Sequence, residues 1–231
     1  MAESGTRTVD RALALLGAVC DAGSLSLAEA ARQTGLSAST ALRLLRTLES
    51  SGFVRKQDDA GYLPGMRIVQ LGAQALSHES LVSLAAGPLR RLVAETGESA
   101  YLSVPASGAL ADQHSIYIAM EEGTHSVRHA SWVGRSIPLG GTAVGAVLRG
   151  QTPSAGYVVV DRGVEKDVTA IAAPVVVGDG DEARIVAALS VVVPTYRITE
   201  ELTGQIGAAV AAEAAHLLTT TDSPALTGET P

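Results

Sequence analysis

The sequence predicts an α+β chain with a winged helix-turn-helix at its N-terminus, a linker helix, and a C-terminal antiparallel sheet domain flanked by helices. Three observations carry this reading. Residues 27–53, LAEAARQTGLSASTALRLLRTLESSGF, read as two short helices joined at a glycine. A β-hairpin pattern follows them directly. From residue 97 onward the periodicity changes to a block of strand-like runs bounded by helices. The boundaries that follow are 6–65 for the winged domain, 66–78 for the linker helix and 79–220 for the sheet domain. A disordered tail is expected at 221–231, where TDSPALTGETP has the composition of an unpacked segment.

In chain order, the first helix carries Val9, Ala12, Leu13, Leu16 and Val19 or Cys20 at helical spacing, the stripe needed to cover two further helices. Cys20, the chain's one cysteine, reads as a small buried hydrophobe. Ser26 and Glu29 form a capping box that opens the second helix. Gly35 supplies its left-handed end, and Ser37 caps the third. Ala41, Leu44, Leu45 and Leu48 line one face of that third helix. Ser37, Ser39, Thr40, Arg43 and Arg46 lie elsewhere, where a recognition helix meets base edges and phosphates. Gly52 ends the helix. The runs at 53–56 and 62–63, around Gln57-Asp58-Asp59-Ala60-Gly61, make the wing, which brings Arg55 and Lys56 to phosphate. An αα-hairpin that merely packs is the competing reading of the helical pair alone.

After Pro64-Gly65, residues 66–77 form a helix with Ile68, Val69, Leu71, Ala75 and Leu76 on its apolar side. That side pairs either with a second copy of the chain or with the chain's own C-terminal domain. A further helix at 81–95 is expected to break or bend at Gly87-Pro88. Strand-like runs follow at 99–104, 113–119 and 125–133, then a short helix at 142–149, strands at 170–177 and 184–193, and a last helix at 199–218.

Composition narrows the function. Residues 1–70 hold 8 Lys+Arg against 7 Asp+Glu, and the remainder 9 against 17, within a whole-chain charge of −7. A chain of that sign is no general polyanion binder; it fits a DNA reader that uses few, placed arginines. No run of about 18 apolar residues indicates a membrane span. The first residues, MAESGTRTVD, lack the pattern of a signal peptide, so a cytoplasmic protein is expected. The histidines sit in no nucleophile or zinc motif and the glycines form no phosphate loop. Neither catalytic residues, nor a metal, nor a cofactor are expected, although a sensor-fold enzyme hydrolysing a small molecule is the alternative. A metal site built from His125, His129 and Glu121 or Glu122 would need three or four converging ligands.

Residues Gly134 to Leu139, then Thr142-Ala143-Val144-Gly145, Gly156-Tyr157, Glu165, Ala172-Ala173-Pro174, Ala187 to Ser190 and Pro194 to Ile198, resemble in order and spacing the effector-domain blocks of IclR-type bacterial transcription regulators. Asp10 to Leu13, Arg43 to Leu45, Leu48-Glu49 and Gly52 resemble that family's winged helix. The resemblance implies a GAF-like C-terminal domain and a repressor of a neighbouring catabolic operon. It also implies a near-palindromic double-stranded operator, and a homodimer with a dimer of dimers as a further step. The implied effector pocket is lined by His129, Ile137, Ala143, Val144, Val160, Ala170, Ser190 and Val192. Acid-binding relatives place polar groups at the positions of Val160, Ala170, Ser190 and Val192, of which only Ser190 is polar here. The expected effector is therefore small, mostly apolar or aromatic, with one carbonyl-like or carboxylate acceptor at the amides of Ala143 and Val144. Two departures stand out: the segment between Gly145 and Gly156 is much shorter than usual, and Ala146 stands where a lysine is frequent.

Overall fold

A computed structural model describes residues 6–57, 61–77, 80–107, 111–129, 131–178 and 180–218. The tip of the wing at 58–60 and the tail at 221–231 lie outside the described residues. The chain divides into two compact units, residues 1–79 and 80–231.

The first unit contains α1 (Arg7–Ala22), α2 (Leu27–Thr34), α3 (Ala38–Ser50), β1 (Val54–Gln57), β2 (Gly61–Pro64) and α4 (Met66–Ser77). Its helix starts are set by side chains. Ser26 accepts the Glu29 N–H while Glu29 accepts the Ser26 N–H at 3.0 Å, and Ser37 accepts the Thr40 N–H. Gly35 ends α2 with φ 64°, a conformation that side-chain-bearing residues rarely adopt. Leu25 exchanges backbone bonds with Tyr62 at 2.9 and 2.8 Å, which ties the α1–α2 turn to the hairpin. Leu15, Val19, Ala30, Ala41, Leu44, Leu45, Val54 and Tyr62 form the core.

The buried face of α1 overlaps the expected one without matching it: Val19 is in the core and Ala12 and Leu16 pack on it, but Leu15 takes the place of Val9 and Leu13. Leu15 and Val19 are buried, whereas Val9 and Leu13 are more than half exposed and Cys20 is exposed. The helix carries two overlapping apolar stripes, and periodicity cannot choose between them. Contact with α2 and α3 selects the stripe through Leu15 and Val19. On α4, Met66, Val69 and Leu71 are exposed.

The second unit contains α5 (Ser80–Thr96), β3 (Ser99–Pro105), β4 (His114–Glu121), β5 (Ser136–Pro138), α6 (Ala143–Leu148), β6 (Val158–Asp161), β7 (Val168–Val177), β8 (Arg184–Pro194) and α7 (Glu200–His216). Its six strands pair antiparallel in the order β5-β4-β3-β8-β7-β6. Residues alternate between faces along β7 and β8. Ile171, Ala173, Val175, Leu189, Val191 and Val193 pack against α5 and α7 together with Leu92, Ile206 and Val210. Ala172 and Ala188 meet α6 on the opposite face. Burial on both sides makes β8 a nearly unbroken apolar run in the sequence.

Three expectations about elements change here. α5 continues as one helix past Pro88, so the chain does not break there. β6 is a strand of its own, too short to have stood out in the sequence. The run at 125–133, whose Ala130 is outside the described residues, is not a strand. The backbone at its two ends is bonded elsewhere: Thr124 N–H donates to Gly97 O at 2.9 Å, and Gly134 N–H to Tyr117 O at 2.7 Å. The ladder position beside β4 is taken by β5, with Ser115 opposite Ile137, so the intervening segment crosses as a loop.

Candidate functional site

Two regions hold the residues that the sequence marked. In the first unit, α3 presents Ser39, Leu42, Arg43, Arg46, Thr47 and Ser50 along one open groove. Ser37, Ser39, Arg43 and Arg46 are exposed and Thr40 is half-buried. Ser37 is occupied as the helix cap, bonds the Thr40 hydroxyl at 2.9 Å and lies 3.2 Å from the Ser39 hydroxyl, which leaves Arg43 and Arg46 the freer reading groups. Among the described residues no carboxylate pairs with Arg43 or Arg46. Arg55 and Lys56 are exposed on β1, where Arg55 bonds the Gln57 amide oxygen at 3.3 Å.

The second region is a cavity on the α6 side of the sheet. Its floor is one transverse row of cross-strand neighbours: Val192 faces Ala170, and Ala170 faces Val160. Tyr117, Ile137 and the start of α6 at Thr142, Ala143 and Val144 add walls, and His129, Trp132, Val164 and Glu165 complete it from loops. The space between these walls, its mouth to solvent included, is about 440 Å³.

Seven of the eight residues expected in the pocket, His129, Ile137, Ala143, Val144, Val160, Ala170 and Val192, line this cavity. Ser190 does not. It sits one row further along the sheet, opposite Ala172 and Tyr101, fully buried and with its hydroxyl unbonded among the described residues. Asp161, next to Val160, accepts bonds from Thr169 and Thr195 at 2.9 and 3.2 Å and lies outside the cavity lining.

His129 is the most constrained polar group in the cavity. Its carbonyl accepts the Ser99 hydroxyl at 3.0 Å, its Nδ1 lies 2.6 Å from the Tyr101 hydroxyl, and its Nε2 lies 3.4 Å from Glu165 Oε2. Burial pushes its pKa down, against a smaller opposing pull from Glu165, so the imidazole is held neutral. Tyr101 donating to Nδ1 and Nε2–H donating to Glu165 is the tautomer consistent with all three groups. Burial also raises the Tyr101 and Tyr117 phenols well above their ordinary range. The rings cluster: Tyr101 lies 4.6 Å from Tyr117, and His129 lies 4.8 Å from Trp132 in an edge-on contact. A second depression, lined by Val127, Arg128, Asp167, Pro194 and Tyr196, shares His129, Trp132, Glu165 and Val168 with the cavity. Those four residues form the partition between the two.

The loop that carries His129 is fastened from behind. Glu98, 2% exposed, receives both arms of the Arg197 guanidinium at 2.7 and 2.9 Å, and Arg197 also donates to the Val127 carbonyl at 2.7 Å. Sequence reasoning missed Tyr117 and Glu165 as cavity residues. Glu165 lies in a polar turn that nothing local marks as inward-facing. Tyr117 carried a usable signal: the chain has one Trp, five Tyr and one Phe, so an aromatic ring on a strand was worth tracing.

Among the described residues no helix is long and apolar enough to cross a membrane, and no group of three or more His, Cys, Asp or Glu could hold a metal ion. Residues 8–58 match the family model described as IclR helix-turn-helix domain, and residues 73–153 that described as bacterial transcriptional regulator IclR C-terminal. The chain is 30% identical over 147 residues to the transcriptional repressor IclR of Escherichia coli, covering 63% of this chain and 53% of that protein. It spans about half the length of several other curated relatives as well. Among solved structures, an IclR-type regulator from Alicyclobacillus acidocaldarius superposes with a TM-score of 0.76 at 25% identity, over 93% of this chain and 98% of its own. An IclR homologue from Microbacterium hydrocarbonoxydans, crystallised with 4-hydroxybenzoate, shares the fold at a TM-score of 0.67 and 18% identity, over 90% of this chain and 98% of its own.

Proposed function

The chain belongs to the IclR family of bacterial transcriptional regulators, and from that premise we propose that it is a ligand-responsive repressor of a neighbouring catabolic operon. It acts in the cytoplasm and is released from its operator by a small, mostly apolar or aromatic effector. The observation that carries this reading is the presence in one chain of an exposed α3 face with unpaired arginines and a separate, aromatic-walled cavity. The first is suited to DNA and the second to a small molecule.

In this reading Ser39, Thr40 and Arg43 read base edges in the major groove, with Ser37 at the helix start, while Arg46, Arg55 and Lys56 hold phosphate. One winged helix covers too few base pairs for specificity, so two copies read a near-palindrome. The exposed apolar residues of α4 are the seam between copies, and two dimers can pair again. The effector's body lies against Ile137, Val144, Val160, Ala170 and Val192. Its binding favours a state that holds the two wings at the wrong spacing, which lowers operator affinity by population shift. The Microbacterium homologue bound to 4-hydroxybenzoate supports an aromatic-sized occupant for this fold.

The enzyme alternative gains no support from the cavity. Thr142, a hydroxyl residue in its lining, donates to the Pro138 carbonyl at 2.9 Å and accepts the Gly145 N–H at 3.0 Å, so it is not poised on His129 as a nucleophile. The test is a gel-shift with the intergenic DNA beside the gene. A retarded complex that survives excess unrelated DNA, and dissolves on adding an aromatic ligand that the cavity binds, is the expected result. Equal affinity for unrelated DNA would reject the regulator reading.

A further inference from the structure

The polar inventory of the cavity has a sign. His129 uses both ring nitrogens, one with Tyr101 and one with Glu165. Thr142 uses its proton and its acceptor on Pro138 and Gly145. What remains among the lining side chains is the Glu165 carboxylate, half in contact with solvent, the Tyr117 hydroxyl and the Trp132 indole edge. The lining contains no lysine and no arginine. Arg135 lies outside the lining, its guanidinium 5.1 Å from the centroid of the Trp132 ring, so one face of that ring already carries a cation and the other is open to a second.

From this we propose that the effector's polar end is a protonated amine seated on the Glu165 carboxylate beside the rings of Trp132 and Tyr117. This rests on the reading of the cavity as the effector site and refines its chemistry. An ammonium group placed there meets an opposite charge and the negative faces of aromatic rings, and its three protons find acceptors in Glu165 and Tyr117. A carboxylate in the same place meets Glu165 at short range among valine side chains. It would be desolvated with no lysine or arginine in the lining to pair with it, an unfavourable arrangement for an anion. The sequence had put a carboxylate or carbonyl acceptor at the amides of Ala143 and Val144. Among the side chains of the lining, the amine uses what is left open.

The experiment is calorimetry on the full chain with three probes that share one ring and differ in one group: benzylamine, benzyl alcohol and benzoate. Benzylamine is expected to bind at least about tenfold tighter than benzoate, the span of one desolvated cation–aromatic and ion contact. Glu165→Gln, nearly the same size at a partly exposed position, should remove most of that preference while leaving benzyl alcohol within a few-fold of wild type. Benzoate binding tighter than benzylamine, or benzylamine failing to bind, overturns the amine assignment. Equal loss of all three probes in Glu165→Gln also overturns it, because the residue would then act on the cavity's shape and not on charge. A different outcome separates the underlying reading. If any probe binds Val160→Trp as it binds wild type, the cavity itself is not the site.

Discussion

At the scale of single residues, charge placement decides most of what can be measured. Arg43 projects from α3 without a carboxylate partner among the described residues, so its guanidinium is available for a bidentate base contact. Arg43→Ala should cost about 1–3 kcal/mol of operator affinity and relax sequence preference at one position. Lys56→Ala should weaken every DNA sequence alike and lower the salt slope by about one. Fluorescence anisotropy over a salt series with labelled operator separates the two effects, and an unchanged Arg43→Ala would misplace the recognition helix. Arg197 poses a different case. Removing it leaves the Glu98 carboxylate 2% exposed and without its bidentate partner, with His125 Nε2 3.7 Å away as the nearest cation-capable group. Arg197→Ala is therefore expected to cost roughly 3–5 kcal/mol in urea unfolding of the sheet unit. It should also loosen the loop that Arg197 ties through the Val127 carbonyl, so ligand affinity falls with stability. A loss below about 1 kcal/mol, the range of an exposed pair, would show that solvent reaches Glu98.

Elements were legible in the sequence where a local rule set their ends. Ser26 with Glu29, Gly35 and Ser37 mark the helix-turn-helix because capping is satisfied within four residues. β7 and β8 announce themselves by length and by burial on both faces. Failures arose where a distant partner decided the outcome. The 125–133 run has the composition of a strand, but β5 holds the ladder position it would need. α1 has two usable apolar stripes, and only the arrival of α2 and α3 chooses between them. Ser190 shares a sheet face with Val192 but lies one pairing row away from the cavity, a distinction of register that no spacing within β8 reveals. The start of α6 shows the reverse, a position where sequence and packing agree. Gly145 is buried in the helix, and a β-carbon there would overlap the Leu139 carbonyl. Gly145→Ala should push α6 off the 139–142 turn and cost about 1–3 kcal/mol as an overpacked site, read as a fall in the melting temperature of the sheet unit. A fully stable Gly145→Ala would mean that the turn yields without penalty.

For the whole molecule the open prediction is assembly. Met66, Val69 and Leu71 expose apolar surface on α4, and a half-site reader without a second copy lacks specificity. Sedimentation at micromolar concentration should show a dimer or larger, and Val69→Glu should shift it toward monomer with a parallel loss of operator affinity. A monomer that retains full affinity would reject the paired reading. The C-terminal family match stops at residue 153, within the short connection between α6 and β6, whereas superposition on the Alicyclobacillus regulator covers 93% of the chain. The likeness of fold therefore extends past the point where the family match ends.

Trp132 is the chain's single tryptophan, and it stands in the partition between the cavity and the neighbouring depression, edge-on to His129. Indole emission from this protein thus originates at one place, a wall of the cavity proposed for the effector. The molecule carries its own optical indicator, without a label and without background from the DNA-reading unit. The colour and intensity of that one emitter follow occupancy of the cavity, while anisotropy of a labelled operator follows release. Recorded together on one sample, the two signals would time the arrival of the effector against the departure of the DNA.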